Sequence, residues 1–420
     1  MALIATAAKL AGVALVAATT TVSSTASSTT PYLVTVTTKP ITTMIRQCGT
    51  QMWAVGAFTS IGSPGHSAVT RNNVVVFDQA TGAISAVDPD VNGAVDSVTF
   101  SPDCTSAYLG GKFTMVHGTA VKNIAKISTS TGAVDTAFTD NSPARVYAVQ
   151  YVNGHLLVGG AFKTINGSTG TTASYLTSLN PSTGKVDGYA NNLGITGTLP
   201  KNVTHIYKFF PSPDGTRVAV NGSFTNVLGQ QRLQVFVLTL GTSSVSLNDW
   251  YAPVLNQTCT GASSGESFYA QGVAWSPDSQ FLYLANTGFK GAPLCDSAVK
   301  FSASANSNQT LIWQNKTGGD SLYAAAASTN DVYVGGHMRW LNNPQGNDSC
   351  GPGCVSRPGI GDIDPTSGLA TPWNPGKTRG HGVKDLFIDS LGNLWVSSDA
   401  APPGNCAGVF HPGICMFPHS

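Results

Sequence analysis

The chain has 420 residues, only 10% of them charged, and its 22 Lys and Arg against 21 Asp and Glu leave +1 at pH 7. A near-neutral chain without a basic run lacks the footprint for a phosphate backbone, so nucleic acid is not an expected partner. Glu266 is the sole glutamate, which excludes mechanisms needing two glutamates and long Glu/Lys-rich helices, while 46 Gly and 23 Pro imply a great many turns.

Residues 1–30 read as an export leader and a Ser/Thr-rich stretch, and 31–420 as one repetitive domain. Lys9 is the only charge before Lys39, and LAGVALVAA (10–18) is a short apolar core. Small residues at Val16, Ala17 and Ala18, or at Ser24, Thr25 and Ala26, suit a signal peptidase. The apolar run falls well below the ~20 residues that span a bilayer, so no membrane span is expected in the mature chain. An uncleaved N-terminal anchor is the alternative. Eight cysteines, with no CxxC pair, fit an oxidising compartment rather than a zinc site. The expected location is secreted or at the extracellular cell surface.

Six segments then repeat an apolar strand and a small-residue turn: WAVGAF (53–58), YLGGKF (108–113), LVGGAF (157–162), VAVNGSF (218–224), YLANTGF (283–289) and VYVGGHM (332–338), with LWVSSD (394–399) as a degenerate seventh. Their spacing of about 49 to 65 residues is a propeller-blade period. Before each anchor sits an alternating strand and a tight turn, as in VTFSPDC (98–104), FFPSPDG (209–215) and VAWSPDS (273–279). After it come a variable loop, a third apolar strand, and a Thr-Gly or Ser-Gly turn at Thr81, Thr131, Thr183 and Ser367 that leads into a short fourth strand. The expectation is an all-β chain: one seven-bladed β-propeller of four-stranded antiparallel blades, since seven such units around an axis cover their faces and protect their edges. The last unit is one strand short, and the N-terminal segment, with YLVTVTT (32–38) left over, is expected to supply or flank that strand and close the ring.

With its GGxF-type repeat, Ser-Pro-Asp turn and Thr-Gly turn, the chain resembles the secreted bacterial β-propellers with delta-60-type repeats, common in actinomycetes. The resemblance covers roughly residues 41 to 400, most specifically VYVGGHMRWLNNP (332–344) and SRPGIGDIDPTSGLATPWNPGKTRGHG (356–382). Some such proteins carry polycystic-kidney-type or carbohydrate-binding modules, so the resemblance implies cell-surface or glycan recognition by analogy alone. The extra cysteines and the absence of an appended module depart from that pattern.

If strands run outward in chain order, the long loop 337–357 and the connection 373–382 share one rim. His337, Arg339, Trp340, Asn342, Asn343, Arg357, Arg379 and His381 fall in this window, with Asp399 close by. Guanidinium forks, amides and an indole are what a sugar or carboxylate would meet. The competing reading has Trp340 and the histidines filling the rim, with Arg paired to Asp362, Asp364 or Asp399. GASSG (261–265) matches the hydrolase G-x-S-x-G formally, but in a loop beside Cys259 rather than at an elbow. Asp88, Asp90 and Asn92 match the opening of a calcium loop whose twelfth position, Thr99, lacks the completing Glu; an Asx turn is the competing reading. No other metal or cofactor is expected.

Neighbouring turns suggest Cys48–Cys104, a shared rim suggests Cys259–Cys295, and proximity suggests Cys350–Cys354 and Cys406–Cys415. Seven Asn-x-Ser/Thr sequons occur, Asn202 and Asn315 among them. The expected role is a monomeric binding module for a carbohydrate or cell-envelope component, with no catalytic residue assigned. A hydrolase or lyase using the same His/Arg/Asp rim, or a structural surface protein without a small ligand, are the alternatives.

Overall fold

The computed structural model describes residues 22–34, 40–139, 141–166, 173–200, 202–259, 268–288 and 293–419. The leader core 10–18 and the GASSG stretch with Glu266 lie outside them.

The chain is all-β. Seven antiparallel sheets follow one another, each built as a meander from short apolar runs separated by Gly, Asn and Asp turns. Their first strands are Ile41–Cys48, Ala94–Phe100, Val146–Val152, His205–Pro211, Ala270–Trp275, Leu322–Ala327 and Val383–Ile388. Every first strand pairs with the next strand in the chain, and that one with a third. Turn chemistry explains the reversals: Asn153 and Gly154 take φ of 46° and 84°, and Gly82 takes 69°, a region that costs most side chains dearly.

The expected ring of seven four-stranded blades is corrected by the sheets themselves. Among the described residues the seven hold three or four strands and the small sheets beside them two or three, none closes on itself, and only the fourth and fifth of the seven have four strands. In four other repeats the expected fourth strand shrinks to one isolated bridge: Phe77 with Ile84, Ile127 with Val134, Leu179 with Val186, and Ile363 with Ala370. The residues after each Thr-Gly turn run at once into polar or Pro-containing sequence, which stops the ladder. Nor does the N-terminal strand complete the last sheet. Tyr32–Leu33 pairs with Ser60–Ser63, which pairs with His66–Thr70, in a separate sheet. The segment before it does lie along the last strand, Ile414–Phe417, through the N–H of Ser23 to Pro418 O and that of Ser27 to Met416 O, each 2.8 Å.

Apolar faces of consecutive sheets supply the core. Trp53, Val76, Val98 and Leu109 meet between the first two sheets, and Trp250, Tyr269, Leu284 and Phe301 form a larger cluster around the fifth. Disulfides join Cys48 to Cys104, Cys259 to Cys295, Cys350 to Cys354 and Cys406 to Cys415. No helix among the described residues is long and apolar enough to cross a membrane. Of the sequons, Asn221 and Asn315 are buried, so their amides face protein rather than an oligosaccharide.

Candidate functional site

The rim residues come together in part, and their charges face inward. Asp320, whose side chain is 3% exposed, gathers both arginines: Arg339 Nε donates to its Oδ2 over 2.8 Å, and an Arg379 terminal nitrogen to its Oδ1 over 2.6 Å. Arg339 also pairs with Asp348 and lies 4.1 Å from the centre of the Trp340 ring. Arg379 Nε donates to the His337 carbonyl over 2.6 Å. These contacts tie the loop 337–357 to the connection 377–382.

The other rim residues are also occupied. Asn343 is fully buried and bonds Thr317 O, Ser349 O and the Gly351 N–H, while Asn342 accepts from Asn315 Nδ2. Arg357 turns away, to the carbonyls of Ser356 and Thr371. Asp399 accepts from the N–H groups of His381, Gly382 and Ala401. Burial, then the charge of Arg379, lowers the His337 pKa. The arrangement leaves Trp340 and His381 at the surface and holds the guanidiniums as clamps. Asp88, Asp90 and Asn92 are likewise spent on a turn: Asp88 accepts from the Asp90 N–H, Asp90 from Asn72, and Asn92 from the N–H groups of Thr114 and Met115.

A second constellation is built by the backbone. In each of the seven first strands the register slips by one residue near the start, leaving Thr43, Asp96, Tyr147, Tyr207, Gln271, Tyr323 and Lys384 unpaired. A β-bulge adds a residue and re-aims its side chain. All seven are partly exposed, whereas both chain neighbours of each are buried.

Their side chains form a continuous neighbourhood. Thr43 Oγ1 donates to Val95 O over 2.8 Å, next to Asp96. Asp96 takes Arg145 in a two-point contact at 2.5 and 2.6 Å, and that guanidinium lies 5.0 Å from the Tyr147 ring centre. Tyr147 and Tyr207 are 6.2 Å apart, with Phe268 5.7 Å from Tyr207 and His205 5.3 Å from Tyr147. Lys384 Nζ sits 4.0 Å from the Tyr323 ring and donates to His381 O, which joins this mouth to the rim. Lys208 Nζ donates to the Lys384 carbonyl over 2.9 Å.

Burial governs the titration here. It pushes Tyr207 up to about 12 and Lys208 down to about 8, and it lowers His205. Burial raises Asp96 despite the opposing pull of Arg145, whose own pKa is raised by its bond to that carboxylate.

At the other ends of the first strands lies a cleft of about 370 Å³. Phe100, Phe210, Trp275 and Phe387 wall it, and its ionic groups, Arg46 and Asp385, neutralise each other at 2.5 Å.

Sequence reasoning missed Asp320 and all seven bulge residues. A signal was present: a polar or aromatic residue directly after a buried apolar one, two places before the next apolar residue, as in Val95-Asp96-Ser97-Val98 and Val383-Lys384-Asp385-Leu386.

No family model and no curated protein matches the chain. Among solved structures it is similar to the extracellular domain of BT4673 from B. thetaiotaomicron, with 12% identity and a TM-score of 0.48 over 92% of this chain and 39% of that one. This sequence therefore spans well under half the length of that solved chain.

Proposed function

We propose that the chain is a secreted binding module that recognises a carbohydrate or cell-envelope component at the mouth formed by the bulged residues. The observation that carries this reading is the set itself. Three tyrosine rings, at 147, 207 and 323, stand among an acid, an amide, a hydroxyl and an amine, all partly open to solvent. Aromatic faces pack against the C–H faces of a sugar ring while side-chain donors and acceptors take its hydroxyls. Seven bulges set these groups on strands rather than on mobile loops, so little entropy is lost when a ligand orders them. The four disulfides support an extracellular setting.

The test is a glycan and cell-wall array probed with the mature protein beside a Tyr147→Ala/Tyr323→Ala double variant of unchanged thermal stability. Binding by the wild type that the double variant loses supports the reading. Absence of binding by the wild type, or equal binding by both proteins, overturns it.

A further inference from the structure

The mouth and the strand ends behind it carry an imbalance of charge. Arg145 is matched by Asp96, and Arg46 by Asp385. Two cations remain. Lys208 and Lys384 make no salt bridge among the described residues; their amines are held by the carbonyls of Lys384 and His381. Asp385 and Asp96 favour a charged Lys208, but each is engaged by an arginine; Asp399 favours a charged Lys384 while its oxygens accept from three backbone N–H groups, so the cations still outnumber the anions. A desolvated ammonium is costly unless a counter-charge accompanies it. Here Lys208 Nζ is bonded to the main-chain carbonyl of Lys384 itself, and the two amines lie beside the rings of Tyr207 and Tyr323.

We infer that the ligand of this mouth is acidic: a sugar whose carboxylate is taken by Lys384, backed by the charge of Lys208, while its ring packs on Tyr323 and Tyr207. The inference rests on the binding reading above and narrows it to one ligand class. A neutral sugar would leave Lys208 without a free counter-charge and Lys384 with Asp399 alone, which makes no salt bridge to it; a carboxylate without an apolar ring would leave the tyrosines without a partner. Exposure separates the roles of the two lysines. Lys384 is partly open to solvent and makes the contact, whereas Lys208 is buried and contributes its field.

The test is calorimetric titration with oligosaccharides of galacturonate, glucuronate and N-acetylneuraminate, each against a neutral counterpart. The proteins are wild type, Lys384→Gln and Tyr323→Ala. The wild type should favour the acidic members by about tenfold or more, a preference that weakens with added salt. Lys384→Gln should bind both classes nearly alike, and Tyr323→Ala should weaken both. Neutral sugars bound as well as acidic ones, with the loss in Tyr323→Ala intact, would overturn the charge assignment and leave the mouth as a glycan site. An acidic preference that survives in Lys384→Gln would overturn the assignment as well. Absence of binding by either class overturns both readings.

Discussion

Arg339 and Arg379 reach the same buried carboxylate, Asp320, from loops forty residues apart in the chain, at 2.8 and 2.6 Å. That shared partner makes the most Arg-rich stretch of the sequence a clamp. The guanidiniums that suggested ligand contacts are directed at a protein carboxylate, through which they fix two loops.

Replacing Asp320 by Asn should therefore destabilise the fold with little direct effect on binding. Two guanidiniums would lose their anion, and the new amide NH2 would face N–H donors where one carboxylate oxygen accepted. The arginine side chains are about 30% exposed, so solvent recovers part of the loss. Denaturant unfolding should show a deficit of about 2 kcal/mol. A change of a few tenths would mean that the clamp contributes little.

Asp362 makes stability depend on pH. Burial, with Asp331 beside it, raises its carboxyl to about 7, and Thr371 Oγ1 donates to it over 2.7 Å. The folded state thus holds a proton that the unfolded chain releases near 4. Its contribution is complete below the unfolded pKa and is lost as pH rises from there through about 7. Arg357 and Tyr333 are the other ionisable groups that face it. Unfolding measured from pH 4 to 8 should show Asp362→Asn gaining on the wild type as pH rises, by roughly 1 kcal/mol or more. Parallel curves would show that the proton is not held.

Packing of residues 22–27 discriminates between the two sites suited to signal peptidase if the leader is cleaved. Val22 and Ala26 are buried against the last sheets, Ser23 and Ser27 donate to its final strand, and Trp373 Nε1 donates to Ser23 O over 3.2 Å. Cleavage after Ala26 would remove the contacts of Val22, Ser23 and Ala26 and leave that of Ser27 alone. N-terminal sequencing of the exported protein should begin at Thr19; a start at Ser27 would contradict the packing.

Cys48 and Cys104 cross-link the first two sheets across 56 residues of sequence. Closing a loop of that length removes enough unfolded-chain entropy to be worth about 4 kcal/mol, against about 2 for the four-residue separation of Cys350 and Cys354. Thermal unfolding of the two Ser/Ser double variants should rank them in that order. Equal losses would mean that strain or residual structure dominates.

The strands and their turns were legible because the signals are local: alternation over a few residues, and Asn-Gly or Thr-Gly where φ must be positive. How many strands each sheet keeps was not, since one bridge and a full strand differ only in whether the partner's residues stay extended for two or three more positions. The seven bulges were missed for a related reason. One extra residue shifts the register without changing composition, and Asp96, Tyr147, Tyr207 and Lys384 lie far apart in the sequence. Asp320 carried no signal of its own, being an ordinary loop acid until folding brings two arginines to it.

The measurement that bears most directly on the account compares two single variants, Tyr323→Ala at the mouth and Trp340→Ala on the rim, for affinity toward the strongest-binding array glycan. Burial of a sugar face on one ring is worth about 1 kcal/mol or more, so Tyr323→Ala should weaken binding by roughly fivefold to tenfold while Trp340→Ala leaves it unchanged. The reverse result would contradict the account, moving the contact surface from the bulged strands back to the loop 337–357.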